Sequence, residues 1–246
     1  MEGSPSDASS AVDADRAVRF DTSSYERLLR RVRDAGRGFV TFDDREQGVT
    51  LHHDVVLSLD RALAMARLEA TLRIEATYCV PLDAPVHTTA SVTFAQTVRT
   101  LSQLGHDVGL QFQPHLHWDD LPGDAAIRRR IHDRREVLSR LLDRPVEVVS
   151  FQQPTERLRT LELDGAVNAA SPPEGVSEYR CVTDRDWKER DPFREGVPER
   201  FRLLVRPGLW HPVERSESEI RSDYRQAAYE RVDEYFESVA SSPSVD

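Results

Sequence analysis

The chain has 246 residues, enough to bury one large hydrophobic core without a second domain. Its formal net charge of −10 argues against a nucleic-acid backbone or an anionic membrane surface as partner. No apolar run reaches the roughly eighteen residues of a membrane span, and Cys79 and Cys181 are too few and too far apart for a disulfide framework or a cysteine zinc site.

Lys188 is the only lysine among 33 basic residues, set against 43 Asp and Glu. Abundant carboxylates with almost no lysine fit a protein adapted to concentrated salt, although an arginine-rich codon bias would give a similar ratio. The start, rich in Ser, Ala and Asp, lacks the basic and apolar regions of a secretory signal, so a cytoplasmic protein is expected. The composition divides the chain into an acidic disordered head (1–18), one domain (19–240) and a short tail (241–246).

In chain order, Leu28, Leu29 and Val32 predict a helix over 23–35. Short β-rich runs follow at 39–42 and 49–55. Ser58 is a good N-cap for a helix over 59–72. The next strand, 74–80, is stopped by Pro81. Phe94, Val98 and Leu101 mark a helix over 91–104, with Gly105 as its C′ residue. Strand 108–112 leads to an Arg-rich helix over 125–142, whose stripe is Ile127, Ile131, Leu138 and Leu141. Strand 146–151, a short helix near 156–161, weaker strands at 166–168, 179–182 and 201–205, and a final helix over 217–238 complete the chain. Strands alternating with helices predict βα units and a largely parallel sheet. The Arg128 to Arg130 and Arg134-Arg135 clusters read as a solvated helix face balanced by Asp124, Asp133 and Glu136.

Five segments in order carry a family resemblance. They are His52-His53-Asp54-Val55-Val56 leading into Ser58-Leu59-Asp60-Arg61; Glu75-Ala76-Thr77-Tyr78-Cys79-Val80; and Leu104-Gly105-His106-Asp107-Val108-Gly109-Leu110. The remaining two are Ser150-Phe151-Gln152-Gln153-Pro154 and Cys181-Val182-Thr183-Asp184 with Trp187 and Asp191-Pro192. From about Tyr25 to Trp210 the chain resembles the polysaccharide deacetylase (NodB-homology) family, in the branch whose first motif reads Arg-His-Asp-Val-Asp. Thr41-Phe42-Asp43-Asp44 spells the other branch's first motif but lies a strand too early, so it is read as a peripheral strand end with exposed acids.

The resemblance implies a distorted (β/α) barrel of seven or eight strands in a single domain, with site residues at the strands' C-terminal rim. It implies a metal that polarises an acetamide and activates water, a carboxylate base and a late histidine acid. By position, Asp54 matches the base and His115 the second metal histidine. The other positions depart. Val56 stands for the metal Asp, Gln111 for the first metal His, Gln113 for an acid, Gln152-Gln153 for a His-Arg pair, and Arg206 for the late His.

Val offers no lone pair, a neutral amide is a poor ligand, and Arg cannot give up a proton near neutral pH. The expectation is a degenerate deacetylase-like protein without a cofactor, binding a glycan, nucleotide sugar or partner such as an intact paralogous deacetylase. Gln111, Gln113, Gln152, Gln153 and Arg206 would line the mouth, with Trp118 and Trp210 stacking on sugar. The alternative is an active N-acyl hydrolase with a divalent, zinc-type metal held by a remodelled site of His115, His52 and His117.

Overall fold

The computed structural model describes residues 18–84, 89, 91–176, 179–188 and 190–240. The expected head, all but its last residue, and the tail over 241–246 lie outside the described residues. The strands are β1 (Phe39–Val40), β2 (Val49–Asp54), β3 (Thr77–Pro81), β4 (Asp107–Phe112), β5 (Val148–Phe151), β6 (Val167–Asn168), β7 (Arg180–Thr183) and β8 (Phe201–Val205). The helices are α1 (Thr22–Asp34), α2 (Leu59–Thr71), α3 (Val92–Gln103), α4 (Asp124–Leu142), α5 (Glu156–Arg159) and α6 (Glu217–Ala240). Each expected element is present.

Side-chain caps set the helix starts. Asp21 accepts from the Ser24 amide at 2.7 Å, Ser58 from Arg61 at 3.1 Å and Ser91 from Phe94 at 3.1 Å. Gly105 takes the left-handed φ of +91° that closes α3. Strand β3 begins three residues later than expected. Arg73, itself left-handed at φ +54°, ends α2, and the next residues carry the chain back to the sheet.

All pairings between named strands are parallel, in the order β6-β5-β4-β3-β2-β8-β7, with β1 on the start of β2. In a flat sheet β2 and β5 would stand about 14 Å apart, three strand spacings. Yet the Ser150 hydroxyl on β5 donates to Asp54 Oδ1 on β2 at 2.7 Å. The sheet therefore curls into a distorted (β/α) barrel, one domain, and no pairing joins β6 to β7 among the described residues.

The helices cover the outer face. Tyr25, Leu29 and Val32 of α1, Ala62 and Ala66 of α2, Val98 and Leu101 of α3, and Ile127 and Leu138 of α4 are fully enclosed there. Inside the curl lies a smaller apolar cluster of Phe42, Cys79, Val148 and Ala169. Phe42 is 2% exposed and meets the His52 ring edge-on at 5.4 Å between centroids. The strand-end segment thus exposes Asp43 and Asp44, as expected, but its Phe42 plugs the barrel interior. Gly109 makes room for this layer, because a Cβ there would meet Cys79 Sγ at 2.7 Å and the Val148 carbonyl at 2.9 Å.

Several arginines bond backbone carbonyls. Arg135 reaches those of Val146, Asp164 and Gly165, Arg45 those of Asn168, Ser171 and Pro172, and Arg33, Arg61 and Arg99 one each. Within the α4 clusters, Arg128 and Arg135 hold carbonyls, Arg130 the His117 ring and Arg134 the Asp83 carboxylate, whereas Arg129 keeps the solvated character expected of the whole run. Among the described residues no helix is long and apolar enough to cross a membrane.

Candidate functional site

Alternation along β2 separates its two histidines. His53 points out toward the helices and His52 and Asp54 point into the curl. Outside, Glu69 of α2 is fully buried and accepts from the Tyr25 and Tyr78 hydroxyls at 2.6 and 2.7 Å. His53 Nε2 lies 2.9 Å from Glu69 Oε1, and the His53 ring stacks on Tyr78 at 4.2 Å. His106 bonds the Ala66 carbonyl at 2.9 Å and completes the hub 3.9 Å from the carboxylate. Burial pushes the Glu69 carboxyl up, but His53, His106 and the Tyr25 hydroxyl outweigh it and leave the group below its ordinary value.

Inside, Asp54 is nearly buried. It accepts the Ser150 hydroxyl, and His52 Nε2 stands 3.3 Å from the same Oδ1, outside good hydrogen-bond geometry. Burial draws the His52 imidazole below its ordinary value. Burial would raise Asp54, but His52, Ser150 and Arg202 together bring its carboxyl below the usual range. A carboxylate so stabilised is a weak acceptor for a water proton.

Gln111 and Gln113 share the inner face of β4 and the segment beyond it, 2% and 5% exposed. Their amides meet at 3.4 Å through Gln113 Nε2 and Gln111 Oε1, while Gln111 Nε2 has no hydrogen-bond partner. Gln152, half-buried at the end of β5, has a buried Oε1 that is also unpartnered. Gln153 is exposed and left-handed at φ +52°, so it turns the chain away from β5.

Arg206 follows β8 and is clasped by Asp184. The Arg206 amide donates to Asp184 Oδ2 at 2.7 Å and Nε to Oδ1 at 2.8 Å. Burial pushes the Asp184 carboxyl up against the opposing pull of Arg206.

Three expectations need correction. Trp210 is fully buried against Phe20, Tyr25 and Trp187, with its indole N–H 3.3 Å from Asp184, so no ring face is open for a sugar. His117 is not free for ligation. Arg130 Nε donates to its Nδ1 at 3.2 Å, its Nε2 lies 3.2 Å from Asp83, and its ring stacks on Phe112. His115 is exposed on a short 3-10 turn and does not join His52 and His117 in one cluster. Trp118 remains half-exposed, tilted over Phe112 at 5.9 Å.

The metal that the resemblance implies does not fit these residues. Among the described residues no three His, Cys, Asp or Glu side chains converge. Val56 supplies no lone pair, and the Asp54 oxygen that faces His52 already accepts a hydrogen bond from the Ser150 hydroxyl.

Sequence reasoning missed Ser150, Asp184 and the Glu69 hub. Ser150 stands two residues before Gln152 and so shares its strand face, a signal that alternation alone could have given. Asp184 lay inside a quoted motif without being assigned a role.

No protein-family model matches the chain, and no curated protein matches it in sequence. Among solved structures it is similar to a CE4 family pseudoenzyme from Bacillus anthracis, at 12% identity over 75% of this chain, with a TM-score of 0.42. The chain spans 61% of the length of that pseudoenzyme. It is similar to a family 4 carbohydrate esterase from the same species, at 16% identity over 89% of this chain and 91% of the other, with a TM-score of 0.43. A family 4 carbohydrate esterase from Streptomyces lividans, in complex with acetate, gives 15% identity over 65% and 78% of the two chains, with a TM-score of 0.42.

Proposed function

We propose that this chain is a degenerate deacetylase-like protein of carbohydrate metabolism that binds an N-acylated sugar or sugar-derived ligand without hydrolysing it. The observation that carries this reading is the two unsatisfied amide atoms on β4 and at the end of β5, the donor Gln111 Nε2 and the acceptor Gln152 Oε1. Buried polar atoms without partners cost about 1–3 kcal/mol each, so they call for a ligand or water that supplies both roles. A hydroxyl or an acylamino group does so, whereas a cation would be repelled by the amide N–H. The motif resemblance supplies the sugar, and half-exposed Trp118 offers an aromatic face.

The missing hydrolysis is argued from Val56, from the weak basicity of Asp54 and from an arginine, not a histidine, at position 206. A salt-rich milieu is part of this reading, from the lysine-poor acidic composition.

Calorimetric titration with N-acetylated and fully deacetylated chito-oligosaccharides in concentrated salt tests it. Preference for the acetylated series is expected, and Gln111→Leu should weaken binding roughly three- to tenfold, the loss of one hydrogen bond. Acetate release that depends on an added divalent metal would overturn the proposal.

A further inference from the structure

We infer that α6 beyond Tyr224 is a self-association element, pairing with the same helix of a second copy of this chain, and that concentrated salt drives the pairing. The first part of α6 is anchored to the body by Ile220, 4% exposed, and half-buried Tyr224. After Tyr224 the helix runs on as an outlying rod on which most side chains are exposed. Tyr229, Val232, Tyr235, Phe236 and Val239 are 67%, 52%, 67%, 66% and 55% exposed, the largest cluster of exposed apolar side chains among the described residues.

Their spacing is that of a helix–helix seam. Tyr229, Val232, Phe236 and Val239 follow one another at three, four and three residues, which places all four on one stripe. Tyr235 flanks it and touches Phe236 edge-on. Large and small alternate along the stripe, so a second copy laid antiparallel sets each ring over a valine. Tyr229 then faces Val239 and Val232 faces Phe236. A foreign partner has no need to match this alternation, whereas a reversed copy matches it automatically.

The area suffices. Aromatic side chains bury on the order of 150–250 Å² each, so three at two-thirds exposure plus two valines offer roughly 500 Å² per copy. Two copies reach about 1,000 Å², the lower edge of a specific interface. A projecting helix of about fifteen residues is also marginal in water without a packing partner.

Charge sets the condition. The same stretch carries Glu230, Asp233, Glu234 and Glu237 against Arg225 and Arg231, so two copies repel in dilute salt. Screening shortens the Debye length from about 10 Å at 0.1 M to about 3 Å at 1 M, which removes most of that repulsion while leaving the apolar contact intact. A basic partner would show the opposite dependence, weakening as salt rises.

Sedimentation velocity of the full chain between about 0.1 M and 3 M KCl tests the inference. The expected result is a monomer at the low end and a dimer at the high end, with the dissociation constant at least tenfold lower there. Tyr229→Ser/Phe236→Ser should stay monomeric throughout while keeping the near-ultraviolet circular dichroism of the parent. Three results would overturn the proposal: a parent chain monomeric at every salt concentration, a dimer that survives in the double variant, or a dimer that weakens with salt. Co-sedimentation of a monomeric parent with phosphatidylcholine/phosphatidylglycerol vesicles would assign the stripe to a membrane surface instead, and would equally overturn it.

Discussion

Arg206 is held by Asp184 through its own backbone amide as well as its guanidinium, whose terminal nitrogen also reaches Asp184 Oδ1. The residue at the position of the late acid is thus a clasp between the turn after β7 and the end of β8. Asp184→Ala would leave a guanidinium only 18% exposed without its counter-charge, at a cost of about 3–5 kcal/mol. The double variant Asp184→Ala/Arg206→Met should recover part of that loss. Urea unfolding of the two variants decides: equal destabilisation would mean that the pair is not the stabilising unit.

The Glu69 hub predicts a pH dependence with two limbs. Glu69 sits below its ordinary 4.5 in the folded state, so the unfolded chain takes up a proton that the folded one refuses. Its contribution is complete above 4.5 and is lost as pH falls from there through the folded value. Burial, with help from Glu69, raises Tyr25 and Tyr78 well above 10.0, so stability falls again as pH rises past that point. Glu69→Gln should flatten both limbs and cost about 3–5 kcal/mol at neutral pH. Melting temperature against pH for parent and variant is the measurement.

Phe42→Ala should cost about 3–5 kcal/mol, because the ring is enclosed by Cys79, Val148 and Ala169 and little can collapse into its place. If Phe42 were the peripheral strand end its motif suggested, denaturant unfolding would show less than about 1 kcal/mol.

Arg135 spans three carbonyls from one planar group. An ammonium cannot match that fork, so Arg135→Lys should cost about 1–2 kcal/mol. Arg129→Lys, on the exposed side of α4, should stay within about 0.5 kcal/mol. Equal effects would make the arginine bias a matter of codon usage rather than of structure.

Periodicity and caps made the elements legible. Ser58 and Gly105 announced a helix start and a helix stop. Long-range partnerships were not legible, because the residue pairs Asp184–Arg206, Glu69–Tyr25 and Asp54–Ser150 join distant segments without any repeating pattern. Trp210 misled for a related reason. Its place beside the rim in sequence says nothing about Phe20 and Tyr25 arriving from the other end of the chain to enclose it. The burial of Phe42 was not legible, because a two-residue strand gives alternation too little length to reveal which way the next side chain turns.

That buried phenyl ring also fixes the direction of traffic. With Phe42 against His52, one step before Asp54 on the same face of β2, apolar side chains fill the inner end of the curl. A ligand of Asp54 would therefore meet the sheet from the C-terminal ends of its strands, the side away from that ring.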